Sequence, residues 1–157
     1  MKKVVFVCLG NICRSPAAEG IMTELINTAG LYHKILVDSA GCAGYHVGEL
    51  PDRRMRKAGK ERGYSFDTQA RKLIPEDLEK FDYIIAMDDD NYRHILAMPG
   101  ANEQKHKVFK MTDFCEKFTV SYVPDPYYDE MPMFNHVIDI LEDATAGLLK
   151  RIKNELD

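Results

Sequence analysis

Eight residues near the amino terminus, Cys8-Leu9-Gly10-Asn11-Ile12-Cys13-Arg14-Ser15, have the types and spacing to aim a thiolate at a phosphate. Successive backbone N–H groups in such a loop can converge into an anion cradle, and a helix starting at its end adds positive potential. That potential and the Arg14 guanidinium together favour the thiolate form of Cys8. Arg14 carries a planar fork of donors that matches two phosphoryl oxygens at once. Gly10 and Asn11 are the residue types that best tolerate the positive φ of a tight cradle. Ser15 has two uses open to it, capping the helix or pointing its hydroxyl at the Cys8 sulfur. Pro16 suits the first helical position.

A cysteine and an arginine separated by five residues are weak evidence in a chain with four cysteines and eight arginines. The flanking elements make it specific. Residues 4–8 form a continuous apolar run rich in β-branched side chains, the pattern of a strand buried on both faces of a parallel sheet. Over residues 16–29, Ala18, Ile21, Met22, Leu25 and Ile26 recur at helical spacing, and Gly30 closes the helix. Further strands are expected at 35–37, ending in the Ser39-Ala-Gly41 turn, at 83–87 and at 107–111. A basic helix over 52–62, a short helix at 75–78 and a helix capped by Asp88 lie between them. A last helix over 134–155 would bury Phe134, Val137, Ile138, Leu141, Leu148, Leu149 and Ile152. Strands alternating with helices imply an α/β fold: one domain over 1–157, with an open four-stranded parallel sheet covered by helices on both faces. Ligands bind such sheets beyond the carboxyl ends of the strands, where the first βα loop with Cys8 would sit. The bland alternative, a βα turn with Cys8 as a small buried residue, leaves Gly10, Asn11 and Arg14 unexplained together.

These residues carry a resemblance. Cys8 to Ser15 resembles the phosphate loop of the low-molecular-weight protein tyrosine phosphatases, and Asp125-Pro-Tyr-Tyr128 resembles that family's general-acid loop. Ser39-Ala-Gly41, Tyr45-His-Val-Gly48 and Met87-Asp-x-x-Asn91 fall where the family has similar segments, so the similarity runs almost end to end. It implies a metal-free, cofactor-free phosphomonoester hydrolase working through a phosphocysteine, with phosphotyrosine proteins, tyrosine kinases and their substrates as the partner class. The family also implies Ile12, Tyr45 and Tyr127 as walls around a flat ring. Tyr128 joins them as a further aromatic candidate. Two departures stand out: Tyr45 occupies a position often held by tryptophan, and Thr68 one often held by histidine. The resemblance further suggests Cys13 as a reversible disulfide partner of Cys8. Three rival readings are weighed against phosphotyrosine hydrolysis. An arsenate reductase needs relay cysteines near 80–90, and the sequence has none there. A protein-arginine phosphatase typically has a polar residue where this chain has Ile12. A phosphate-binding module without catalysis would not need Cys8, Arg14 and Asp125 intact.

On its own, Asp125 before Pro126 could be a plain turn. Beside the Cys8 loop it becomes the acid that a phosphate-ester hydrolase needs for its leaving oxygen. The composition limits the classes. A net charge of −4 argues against nucleic acid as a partner. Lys2-Lys3 and the apolar run to Leu9 are too short and too soon interrupted for a signal peptide, and no stretch is long enough to insert in a membrane. A reduced cytoplasmic protein, monomeric or weakly dimeric, is expected. The histidines lack ligand spacing, so no metal is assigned, and Asp88, Asp89 and Asp90 read as helix-capping carboxylates. Arg53, Arg54, Arg56, Lys57, Lys60 and Arg62 read as a solvated face, and Cys42 and Cys115 as small buried residues.

Overall fold

Val4, Val5, Phe6 and Val7 are all fully buried, which a strand achieves only at the centre of a covered sheet. In a computed structural model, which describes residues 1–156, this strand is β1 (Lys2–Cys8). It pairs in parallel with β2 (Ile35–Gly41) on one side and β3 (Tyr83–Ala86) on the other. β4 (Val108–Lys110) adds to β3, giving the order β2-β1-β3-β4. The helices are α1 (Arg14–Thr28), α2 (Arg53–Glu61), α3 (Pro75–Lys80), α4 (Asp89–Leu96) and α5 (Met131–Glu155).

Alternation along β1 divides the core. Val4, Phe6 and Cys8 pack with residues of α1, α2 and α5, whereas Val5 and Val7 join the layer containing Leu78 of α3 and Ile95 of α4. The expected α/β sheet with helices on both faces is what forms. The chain leaves β1 towards β2 on one side and later returns to β3 on the other, so the strand order reverses at β1. The register sets Cys8 opposite Gly41 and Val7 opposite Ala86, bringing three strand ends together at this switch point.

The differences from sequence expectation lie at element ends. α1 starts at Arg14, two residues earlier than the apolar spacing indicates, so Pro16 is its third residue and Cys13 takes the cap position with no side-chain cap. Ser15 is therefore not a cap. α5 begins at Met131, with Pro132 in its first turn. Two 3-10 segments, Ala101–Lys107 and Met111–Phe114, flank β4 and carry no apolar period by which to find them. Among the described residues no helix is long and apolar enough to cross a membrane.

Candidate active site

The loop after β1 is shaped by its neighbours. The carbonyls of Cys8, Leu9 and Ile12 accept from the amides of Cys42 (2.9 Å), Ala43 (2.8 Å) and Asp52 (2.7 Å). Three of its carbonyls are thus committed to neighbouring segments, which pins the loop against β2 and the start of α2. Asn11 takes the left-handed conformation (φ 58°). Its buried side chain compensates: Oδ1 accepts from the Arg71 amide at 2.9 Å, and Nδ2 donates to Ser15 Oγ (2.8 Å) and Ser39 Oγ (3.0 Å). Gly41 lets the loop approach closely, since a Cβ there would lie 3.0 Å from the Leu9 carbonyl oxygen, tighter than most Cβ contacts.

Ser15 Oγ lies 3.0 Å from Cys8 Sγ. Since the Asn11 amide donates into Ser15, the Ser15 hydroxyl proton is available to the sulfur. The network continues below: Ser39 donates to Glu19 Oε1 (2.5 Å) and Thr68 to Glu19 Oε2 (3.0 Å). Burial pushes the Glu19 carboxyl up, and the two hydroxyls work against that rise. Thr68, at the family's frequent histidine position, thus joins the network through a hydroxyl.

Arg14 is only 2% exposed. Its Nη1 donates to Asp88 Oδ2 (2.6 Å) and to the Val123 carbonyl (3.0 Å), and its Nη2 lies 3.6 Å from Asp125 Oδ2. Burial opposes the charge, but Cys8, Asp88 and Asp125 outweigh it and raise the guanidinium further above its ordinary value. Asp88 has two functions: Oδ1 caps α4 by accepting from the Asn91 amide (2.8 Å), while Oδ2 holds Arg14. Only the first was legible in the sequence. Asp89 pairs instead with Lys110 (2.6 Å) and Asp90 with Arg93, so the three carboxylates diverge. Among the described residues no three histidine, cysteine or acidic side chains are grouped to hold a metal ion.

Asp125 comes from a segment strung past the sheet end. The Val123 amide donates to the Met87 carbonyl at 2.9 Å, and Asp125 Oδ1 accepts from the Tyr127 amide at 3.2 Å. Cys8, Gly10, Cys13, Arg14 and Asp125 line one cavity of about 140 Å³. Leu9, Ile12, Tyr45, Tyr127 and Tyr128 line it as well, with Tyr45 (76%) and Tyr128 (95%) standing exposed at its mouth. Asn11 and Ser15 support the loop without lining the cavity. Cys13 is buried, which pushes its thiol up, and Asp52 and Cys8 add to the effect.

Sequence reasoning missed two residues here. His46 lines the cavity, its ring 6.1 Å from that of Tyr127 and its Nδ1 3.0 Å from Glu49 Oε2. Its position inside the Tyr45-His-Val-Gly48 segment was the available signal. Arg54, read as solvated, bonds to the Tyr127 carbonyl at 2.7 Å. Arg62 likewise leaves the solvated group, pairing with Glu142 (2.7 Å) and Asp139 (2.8 Å) of α5. Cys42 is buried as expected, its thiol pushed up to about 12 chiefly by burial, but Cys115 is only half-buried.

The sheet order, with the cysteine–arginine loop at its reversal, defines an α/β protein whose first βα turn opens onto the cavity. Residues 3–157 match the model of the low molecular weight phosphotyrosine protein phosphatases, and the chain belongs to that family. It is 40% identical to the low molecular weight protein-tyrosine-phosphatase YfkJ of Bacillus subtilis, over 99% of this chain and 98% of that one. It is 35% identical to the human low molecular weight phosphotyrosine protein phosphatase, over 81% of this chain and 80% of the other. The crystal structure of a protein tyrosine phosphatase from Entamoeba histolytica, with Hepes in its active site, superposes with a TM-score of 0.95. That pair shares 48% identity over 99% of each chain.

Proposed function

We propose that this chain is a protein tyrosine phosphatase that hydrolyses phosphotyrosine through a phosphocysteine. The observation that carries this reading is the convergence of the Cys8 thiol, the buried Arg14 fork and the Asp125 carboxyl group on one cavity with an aromatic rim. In the first step Cys8 Sγ attacks phosphorus in line, the S–P bond forms and the P–O bond to the phenol breaks. Loop amides and Arg14 stabilise the charge on the three equatorial oxygens. Asp125 gives its proton to the departing phenolate. In the second step water attacks phosphorus, its proton passes to Asp125, and Cys8 leaves as a thiolate that the Ser15 hydroxyl stabilises. Phosphotyrosine proteins are the partner class.

Cys8→Ser should abolish turnover of phosphotyrosine while inorganic phosphate still binds. Wild-type kcat in that variant would overturn the mechanism.

A further inference from the structure

The turn that carries Asp125 is anchored from outside the cavity. Arg54, in the first turn of α2, donates from Nη2 to the Tyr127 carbonyl at 2.7 Å and from Nη1 to the Asp129 carbonyl at 3.1 Å. Two bonds to Asp52 fix its guanidinium, Nε to Oδ1 at 3.0 Å and Nη2 to Oδ2 at 2.9 Å. The group lies over the Phe134 ring, 4.6 Å from the centroid. Asp52 caps α2 by accepting from the Arg54 amide at 2.8 Å. Its own amide donates to the Ile12 carbonyl, at 2.7 Å, inside the Cys8 loop. A connected path therefore runs from Ile12 through Asp52 and Arg54 to Tyr127. The Tyr127 amide then ends on the Asp125 carboxylate.

We propose that the Asp52–Arg54 pair is a positioning device that sets the Asp125 carboxyl group relative to the Cys8 loop, an inference that rests on Asp125 being the general acid. Proton transfer requires the acid within hydrogen-bond reach of the leaving oxygen. Displacement of a reacting group by about 1 Å can cost about 100-fold. Tyr127 is held on both sides of its Cα, by Asp125 through its N–H and by Arg54 through its carbonyl. A shift of the Tyr127 backbone is therefore passed to the carboxylate through that hydrogen bond. The residue has to be arginine: its bonds to Asp52, Tyr127 and Asp129 leave in several directions from one rigid plane, which a lysine ammonium cannot span.

The test uses the full chain, with Arg54→Met and Arg54→Lys variants. It reads kcat/KM across aryl phosphates whose phenols differ in acidity, together with inhibition by inorganic phosphate. Arg54→Met should lower kcat/KM for the poorest leaving group about 10- to 100-fold and that for the best one much less. The inhibition constant of phosphate, set by the Cys8 loop, should stay unchanged. Arg54→Lys should fall between, which keeps the test open should the methionine variant fold poorly. Added to Asp125→Asn, Arg54→Met should cause no further loss, because both changes remove the same contribution. A leaving-group dependence that responds to Asp125→Asn but not to either Arg54 variant overturns the positioning role alone. A dependence indifferent to Asp125→Asn overturns the general-acid reading and this inference with it.

Discussion

Asp125 is held through Oδ1 by one main-chain amide, which leaves its other oxygen turned towards Arg14 and the cavity. Asp125→Asn preserves that shape and removes the transferable proton. Its kcat/KM should fall by about 10² or more for phosphates of weakly acidic phenols, the usual scale of acid catalysis, and less for activated ones. Steady-state rates across such a series check this, and equal losses would assign Asp125 a structural role. Ser15, inside the first turn of α1 rather than at its cap, is free for a role at the sulfur. Its oxygen accepts from Asn11 and lies 3.0 Å from the Cys8 sulfur, within reach of a leaving thiolate.

Helix α4 and the nucleophile loop meet at Asp88, whose two oxygens serve different elements. Asp88→Ala should remove the cap, worth about 1 kcal/mol, and leave the buried Arg14 charge short of a partner, for a total loss of about 3 kcal/mol. Asp88→Asn keeps the cap acceptor, so its cost isolates the ion pair. Urea unfolding of both variants measures the split, and equal stability of Asp88→Asn and the wild type would mean that the pair contributes nothing. This double role also marks where legibility ended. Cys8, Arg14 and the strand–helix alternation were readable because they rest on local periods and short spacings. The partners of Asp88, Arg54 and Arg62 were not: each reaches across more than 70 residues, and a capping aspartate or a basic helix looks the same in sequence whether or not it does. Helix starts were misread for a related reason, since Arg14 enters α1 as a buried, paired residue rather than as part of an apolar stripe.

For the molecule as a whole, acid stability is coupled to a carboxylate far from the cavity. Asp143 of α5 accepts from the amides of Glu116 (3.1 Å), Lys117 (2.9 Å) and Phe118 (2.9 Å), tying the segment after β4 to the last helix. Burial alone would raise its carboxyl, but these amides prevail and hold it below the usual carboxylate value. A depressed native value means that the stabilisation is complete above the unfolded value, about 3.9, and is lost as the pH falls through the native one. Asp143→Asn should therefore destabilise the protein clearly at pH 7, and the difference should shrink in acid as the wild-type group protonates. Denaturant titrations at neutral and strongly acidic pH provide the comparison, and a pH-independent difference would contradict the assignment.

Arg14 stands between Asp88 and Asp125 with the Cys8 sulfur nearby, and this arrangement has a consequence for what must enter the site along with a ligand. One cation shared by two carboxyl groups beside the Cys8 sulfur has little positive charge to spare, and a phosphate ester would add two negative charges. The proposed mechanism begins with a proton on Asp125, so a bound dianionic ester has to share the site with that protonated carboxyl group. Binding of an aryl phosphonate should thus consume about one proton per site, and affinity should rise as the pH falls. Calorimetric titrations in buffers of different ionisation heat count this proton directly. The count should drop to near zero in Asp125→Asn, so that the acid is loaded for catalysis by the act of binding itself.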